Sequence, residues 1–315
     1  MEIFESLSLG QLLERGAESV PDKTAVMNGE IRKTYRELAE MADALAAGFS
    51  ELGFKKGDRI AIYMKNSIEL IAAFYALQKL GVIVAWVNPN YRTAEARFIL
   101  KNSESKSVII FREWEGYDYL ESLLKLKGEL PEIESIILAG GGEGDGVHGF
   151  YDLLDKGSGK EYISPTIDTH EDLCMLIYTS GTTGNPKGAM ITHYQAVRAG
   201  YGYSLGVNAG PDDIFIGILP MCHSYGCGAI LIQPFLLQST LILMELFQPE
   251  KALQIIEEEK ITLQLAAPTH YILELNNPNI GKYDLSSLRA GLIAGQPAPE
   301  GLITRVETEM DAYLT

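Results

Sequence analysis

Apolar residues recur every three or four positions at Leu38, Met41, Leu45, Phe49 and Leu52, which makes one face of an amphipathic helix. Thr34-Tyr35-Arg36-Glu37 precedes them with capping-box spacing, and Gly53 ends the run. The period then changes. Residues 59–64 read as a strand, the stretch opened by Asn66 and Glu69 and closed by Gly81 as a helix, and 82–87 as an apolar strand, together a βαβ unit. Further strands are expected at 107–111, 135–138, 173–178, 214–219, 240–244, 262–266 and 290–294, with helical patterns between most of them. Short apolar strands alternating with helices predict an α/β fold, either one mostly parallel sheet covered on both faces or two such sheets.

The most apolar stretch, 229–246, is broken by Gln233, Pro234, Gln238 and Glu245, so it reads as a buried helix followed by a strand and not as a membrane span. Residues 140–146 and 156–160, rich in glycine and charge, read as surface loop. A boundary near residue 165 divides the chain into two expected subdomains, 1–165 and 166–315. A helix over 299–310 is followed by an end at Thr315, where an α/β sheet would lack its next strand, so the sequence reads as truncated there.

With 42 acidic against 26 basic side chains, the net charge of −16 opposes a phosphate backbone, and no run of Lys and Arg offsets it locally. Nucleic acid is therefore not expected as a partner. One polyanionic small molecule is compatible with that charge if backbone N–H groups, a lysine and a metal ion outweigh the distant field. The first ten residues carry Glu2 and Glu5 and no basic n-region or apolar core, unlike a secretory signal. Three cysteines, Cys174, Cys222 and Cys227, are too few for a disulfide framework, and a cytoplasmic location is expected.

The chemistry concentrates in Tyr178-Thr179-Ser180-Gly181-Thr182-Thr183-Gly184-Asn185-Pro186-Lys187-Gly188, read as a loop between the 173–178 strand and a helix beginning near Thr192. Its glycines allow positive φ and close backbone approach, its four hydroxyls can donate to phosphate oxygens, and Lys187 brings a mobile positive charge. Glycine, serine and threonine also crowd plain surface turns. Here eleven consecutive residues fit a polyphosphate. The order matches neither a Walker A sequence, a dinucleotide fingerprint nor a Gly-x-Ser-x-Gly elbow.

Residues 178–193 resemble the phosphate-binding signature of the adenylate-forming superfamily, which includes acyl-CoA synthetases, luciferases and peptide-synthetase adenylation domains. Other segments are similar in family order. Thr34-Tyr35-Arg36-Glu37-Leu38 resembles the early Tyr-x-Glu-Leu helix, and Leu80-Gly81 through Val87-Asn88-Pro89 the strand and turn after it. Pro220-Met221-Cys222-His223-Ser224-Tyr225-Gly226 resembles the Pro-x-x-His-x-x-Gly element of acyl-CoA synthetases. Ala294-Gly295-Gln296-Pro297-Ala298-Pro299 is similar to the strand end along the adenine in medium- and long-chain fatty acyl-CoA synthetases. The family's Tyr-Gly-x-Thr-Glu motif, whose glutamate helps hold Mg²⁺, is absent, as are the ribose-binding Asp and the small C-terminal domain with its catalytic lysine. The resemblance thus implies most of a large N-terminal domain, with two mostly parallel sheets flanked by helices, and no metal ligand within this chain.

It also implies two half-reactions. A carboxylate attacks the α-phosphate of ATP to give an acyl-adenylate and pyrophosphate, and the thiolate of coenzyme A then displaces AMP. By that likeness Thr179, Ser180, Gly181, Thr182, Thr183, Gly184 and Lys187 hold the phosphates, while Gly295, Gln296 and Pro297 lie beside the adenine. Lys187 and His223 are the candidate catalytic residues. His223, Ser224, Tyr225, Gly226 and Gly228 are the candidate acyl pocket; the glycines either leave room for the tail or serve as close-packing devices. His223 and Ser224 stand where amino-acid activators place an aspartate against the substrate ammonium, so an uncharged tail is expected. A nucleotide- or acyl-binding module without turnover, a luciferase-like oxidase and an amino-acid or aryl-acid adenylating enzyme are the alternatives. The sequence leaves chain length and oligomeric state, homodimer included, open.

Overall fold

The computed structural model describes residues 6–140, 144–179 and 186–315. In chain order it contains α1 (Leu9–Ser19), β1 (Thr24–Asn28), β2 (Ile31–Thr34), α2 (Tyr35–Glu51), β3 (Arg59–Tyr63), α3 (Ile68–Lys79), β4 (Ile83–Trp86), α4 (Thr93–Ser103), β5 (Ser107–Phe111), β6 (Glu113–Trp114), β7 (Tyr117–Asp118) and α5 (Tyr119–Leu126). Next come β8 (Ser135–Ala139), β9 (Val147–Gly149), α6 (Phe150–Gly157), β10 (Leu173–Thr179), β11 (Lys187–Thr192), α7 (His193–Gly206) and β12 (Ile214–Gly217). A π-helix (Cys227–Ile232), α8 (Gln233–Leu237), β13 (Thr240–Leu243), α9 (Pro249–Glu259), β14 (Leu263–Ala266), α10 (Pro268–Leu275), β15 (Ala290–Ile293), α11 (Leu302–Glu309) and β16 (Tyr313–Leu314) complete it.

Two compact units divide the chain, residues 1–15 with 37–196 and residues 16–36 with 197–315. Each carries one seven-stranded sheet. The first unit's order is β11-β10-β4-β3-β5-β8-β9, parallel except for β10–β11; the second unit's is β16-β15-β14-β12-β13-β1-β2, parallel except for β1–β2. This differs from the expected division at 165. Met175 and Leu176 pair with Val84 and Ala85, so β10 joins the first sheet, while β1 crosses over to pair with β13. Neither long-range pairing leaves a mark in local composition.

Alternation sets which face each side chain covers. In the second unit Ile216 and Ile242 pack with Ala252, Leu253 and Ile256 of α9, Tyr271 of α10 and Val306 of α11. Gly217 faces the other way, where a Cβ would meet Ile230 of the π-helix at 3.1 Å. The first unit repeats the arrangement, with Ala61, Ala85, Val108 and Ile110 packed under Ile99 and Leu100 of α4 and Leu123 of α5.

Local chemistry explains the element ends. Ser67 caps α3 by accepting from Leu70 N at 3.1 Å, one residue after the expected Asn66. Residues 156–157, expected as loop, finish α6 instead, where a Cβ on Gly157 would stand 1.9 Å from the Ala44 carbonyl oxygen. The π-helix has its cause in Pro234, which lacks an N–H and whose ring would meet the carbonyl four residues back. The wider turn moves the preceding bond to Gln233 N–H donating to Gly228 O. A short strand, β16, pairs with β15 through Tyr313 and Leu314 where the sequence suggested none. At the opposite, N-terminal strand ends, Arg289 grips Asp213 with two bonds of 2.9 and 2.6 Å, and Thr262 Oγ1 and Gly210 N–H donate to the same carboxylate.

Candidate active site

The second unit's strand order reverses at β12: the chain steps from β12 to β13 on one side, then returns past β12 to β14 and β15 on the other. Right-handed crossovers running in opposite directions put their helices on opposite faces, and a crevice opens at the carboxyl end of the strand between them. The segment leaving that end is Ile218-Leu219-Pro220-Met221-Cys222-His223. His223 is extended and exposed ahead of the single helical turn Ser224–Gly226, and its carbonyl accepts from Cys227 N at 2.7 Å. Partial desolvation lowers the pKa of its imidazole, which is therefore neutral at pH 7.

Neighbouring strand ends converge there. Tyr225 Oη donates to the Leu292 carbonyl at 2.8 Å, and burial pushes the phenol's pKa up, so it stays a donor. Beyond β15, Gly295 takes φ +92°, a conformation glycine adopts freely, and leads into exposed Gln296 and Pro297. Gln296 Nε2 donates to Thr269 Oγ1 at 2.8 Å, tying the strand end to α10. His223, Ser224, Tyr225, Gly295, Gln296 and Pro297 thus belong to one sheet edge.

Of the two readings of Gly226 and Gly228, the structure supports close packing. A Cβ on Gly226 would stand 2.1 Å from the Pro220 carbonyl oxygen, and one on Gly228 would stand 2.6 Å from Tyr203 Cε2. The space these glycines free is filled by backbone and by an aromatic ring, so their smallness serves close packing and not an acyl tail. Cys222 and Cys227 are buried, and desolvation pushes the Cys222 thiol up to about 12.

In the first unit the phosphate segment is followed by a strand and not directly by a helix. β11 returns antiparallel to β10, pairing Thr179 with Lys187, before α7 begins. Both residues are exposed at the carboxyl end of β10, the end β10 shares with its parallel neighbour β4. Ser180, Gly181, Thr182, Thr183 and Gly184 lie outside the described residues. The expected cap at Thr192 is present: its N–H donates to Gln195 Oε1 at 3.0 Å and its Oγ1 accepts from Gln195 N at 3.3 Å.

Two buried groups were not among the candidate site residues. His193, fully buried, accepts Leu9 N–H at Nδ1 over 3.1 Å, and burial lowers its pKa to about 4. Glu274, also fully buried, accepts from Gln264 Nε2 at 2.7 Å, while Glu274 Oε1 and Gln264 Oε1 have no partner. Tyr271 Oη donates to the Gln264 carbonyl at 2.6 Å beside this pair, and desolvation pushes the Glu274 carboxyl up to about 8. Among the described residues no group of three or more His, Cys, Asp or Glu could hold a metal ion, and no helix is long and apolar enough to cross a membrane.

Comparison with known proteins places this geometry. The model of the AMP-binding enzyme family matches residues 13–314. Human mitochondrial medium-chain acyl-CoA ligase ACSF2 is 29% identical over 96% of this chain and 53% of its own length. A Rhodococcus jostii ligase that joins CoA to a methyl-dioxo-octahydroindenyl propanoyl group is 29% identical over 96% of the chain and 61% of its own. The inhibitor-bound N-terminal domain of FACL13 from Mycobacterium tuberculosis superposes with a TM-score of 0.85 at 26% identity, covering 98% of this chain and 74% of that one. The anthranilate CoA ligase AuaEII bound to anthranoyl-AMP shares the fold, with a TM-score of 0.90 at 24% identity over 98% of this chain and 59% of that one. The chain spans a little over half the length of these curated relatives. Its fold, its two sheet-edge motifs and the family match over nearly all its residues make it a member of the AMP-binding enzyme family.

Proposed function

We propose that this chain supplies the ATP-phosphate and carboxylate sites of an ATP-dependent acid–thiol ligase that forms acyl-CoA. The observation that carries the reading is the Thr179–Lys187 neck: an exposed lysine and threonine paired at a strand end, at the two ends of the Ser-Gly-Thr-Thr-Gly-Asn-Pro segment. Two anions must meet in the first half-reaction. The substrate carboxylate oxygen bonds to the α-phosphorus of ATP, the bond from that phosphorus to the bridging oxygen breaks, and pyrophosphate leaves. In the second, the CoA thiolate takes the acyl carbon and AMP leaves. Catalysis of such steps is mainly positioning and charge neutralisation. Lys187, with the hydroxyls and N–H groups of residues 179–184, neutralises and orients the departing pyrophosphate.

His223 orients the carboxylate at the carboxyl end of β12. As a neutral imidazole it brings a hydrogen bond without a competing positive charge. Neither His223 nor the residues that follow it to Leu231 offer a carboxylate to pair with an ammonium, which supports an acid with an uncharged tail. Gln296, Gly295 and Pro297 line the nucleotide base.

Calorimetric titration with ATP, run beside a pyrophosphate-release assay over fatty, aryl and amino acids, tests the proposal. Lys187→Ala is expected to weaken ATP binding and slow adenylation by ten-fold or more, the order of one lost charge-assisted hydrogen bond, with the fold intact because the side chain is exposed. ATP affinity unchanged in that variant refutes the assignment. Because the chain spans about half its relatives' length, binding without turnover is the second reading; ATP heat without pyrophosphate release selects it.

A further inference from the structure

The returning strand of the hairpin has little to hold it. No residue of β11 is buried, and Met190 is 67% exposed. Among the described residues its strand partner is β10, and β11 is the edge of the sheet. One residue inside the Thr179–Lys187 pair, Tyr178 faces Gly188. Tyr178 is buried within the apolar layer under α4, and its Oη donates to Asn102 Oδ1, at the end of α4, over 2.8 Å. Gly188 does not adopt a positive φ; a Cβ there would stand 3.1 Å from Tyr178 Cζ and 3.3 Å from both Cε1 and Oη. This glycine therefore makes room for the ring.

We propose that Tyr178, Gly188 and Asn102 form a clamp that fixes the hairpin neck, so that Thr179 and Lys187 are presented to a triphosphate at one set angle. The inference rests on the phosphate reading of the loop. Successive strand residues point to opposite faces, so the ring lies on the side away from Thr179 and Lys187 and acts only through the backbone pair. These are positioning residues. Asn102 fixes the hydroxyl, the hydroxyl fixes the ring, and the ring lies flush against Gly188 so that the neck cannot splay.

The test uses the full chain. Asn102 is exposed, so Asn102→Ala removes the acceptor without opening the core, and Asn102→Asp keeps an acceptor in place. Mg·ATP is titrated calorimetrically, and amide hydrogen exchange is read at residues 179 and 187. Expected are about five-fold weaker ATP binding and faster exchange in Asn102→Ala, the size of one neutral hydrogen bond, with melting temperature near wild type and recovery in Asn102→Asp. Gly188→Ala is expected to weaken ATP binding in the wild-type background and to add nothing in a Tyr178→Leu background, where the ring is gone.

Exchange at residues 179 and 187 left unchanged by Asn102→Ala overturns the clamp whether or not ATP binds. Faster exchange with unchanged ATP affinity overturns its positioning role. A wild-type chain that takes up no ATP while Asn102→Ala exchanges faster sinks the phosphate reading and leaves the clamp itself supported.

Discussion

Replacing Glu274 by Gln is expected to make the protein more stable at neutral and alkaline pH. The carboxyl is fully buried, and its protein partner is Gln264 Nε2 at 2.7 Å. Desolvation raises it from the ordinary 4.5 to about 8. Tyr271 beside it is pushed up by its own burial and by Glu274, so it stays neutral and offers no compensating charge. Below its unfolded pKa the carboxyl is protonated in both states and stability is unaffected. As pH rises from there, the unfolded chain releases the proton and the folded chain retains it, so stability falls until the folded group also ionises near pH 8. At ~1.4 kcal/mol for each pH unit of that interval, the loss is ~3 kcal/mol by pH 7 and ~5 kcal/mol by pH 8, as upper values. A Gln side chain cannot ionise and can still exchange hydrogen bonds with Gln264. Urea unfolding of wild type and Glu274→Gln across pH 5 to 8 measures the gap directly, and the comparison cancels the general repulsion of a chain carrying −16. A gap that stays constant within about 0.5 kcal/mol over that range would refute the reasoning.

Two further substitutions probe the second unit's frame. Asp213→Asn removes the charge that receives both bonds from Arg289 and should lower unfolding free energy by about 2–3 kcal/mol, at the low end for a buried pair because the arginine is 41% exposed; urea midpoints read it. Burial raises and hydrogen bonding more strongly lowers the pKa of the Asp213 carboxyl, so its contribution is present above the ordinary aspartate value and is lost as pH falls through the folded one. Gly226→Ala forces a methyl against the Pro220 carbonyl and is expected to reduce stability by roughly 1–3 kcal/mol and to displace His223. A melting temperature equal to wild type would show that the segment can yield.

Strands buried on both faces were legible because the apolar run itself marks them: 107–111 matches β5 at both ends, and the other expected central strands end within two residues of those observed. The edges were not. β11 buries no residue and carries a glycine, so Lys187 to Thr192 shows neither a strand's apolar run nor clean alternation, and the phosphate segment read as a loop into a helix. The hairpin of β1 and β2 was missed for the same reason, since Ile31 and Arg32 face solvent. Of the site, the residues whose chemistry is local, Lys187 and His223, stood out in the sequence. Asn102, Tyr203 and Thr269 did not, because each matters only through a neighbour more than twenty positions away. Small residues were the weakest guide: Gly188, read as permissive backbone, and Gly226 and Gly228, read as part of the acyl pocket or as packing devices, prove to be contact points.

Asp213, Thr262 and Arg289 knot together the strand beginnings of the second unit, while His223, Thr269 and Gln296 stand at the strand endings. Loops at the far end can therefore be exchanged between relatives with different appetites while the root of the sheet remains tied. A graft of the 218–226 or 294–299 segment from a relative would inherit a foundation tied at the other end of the strands.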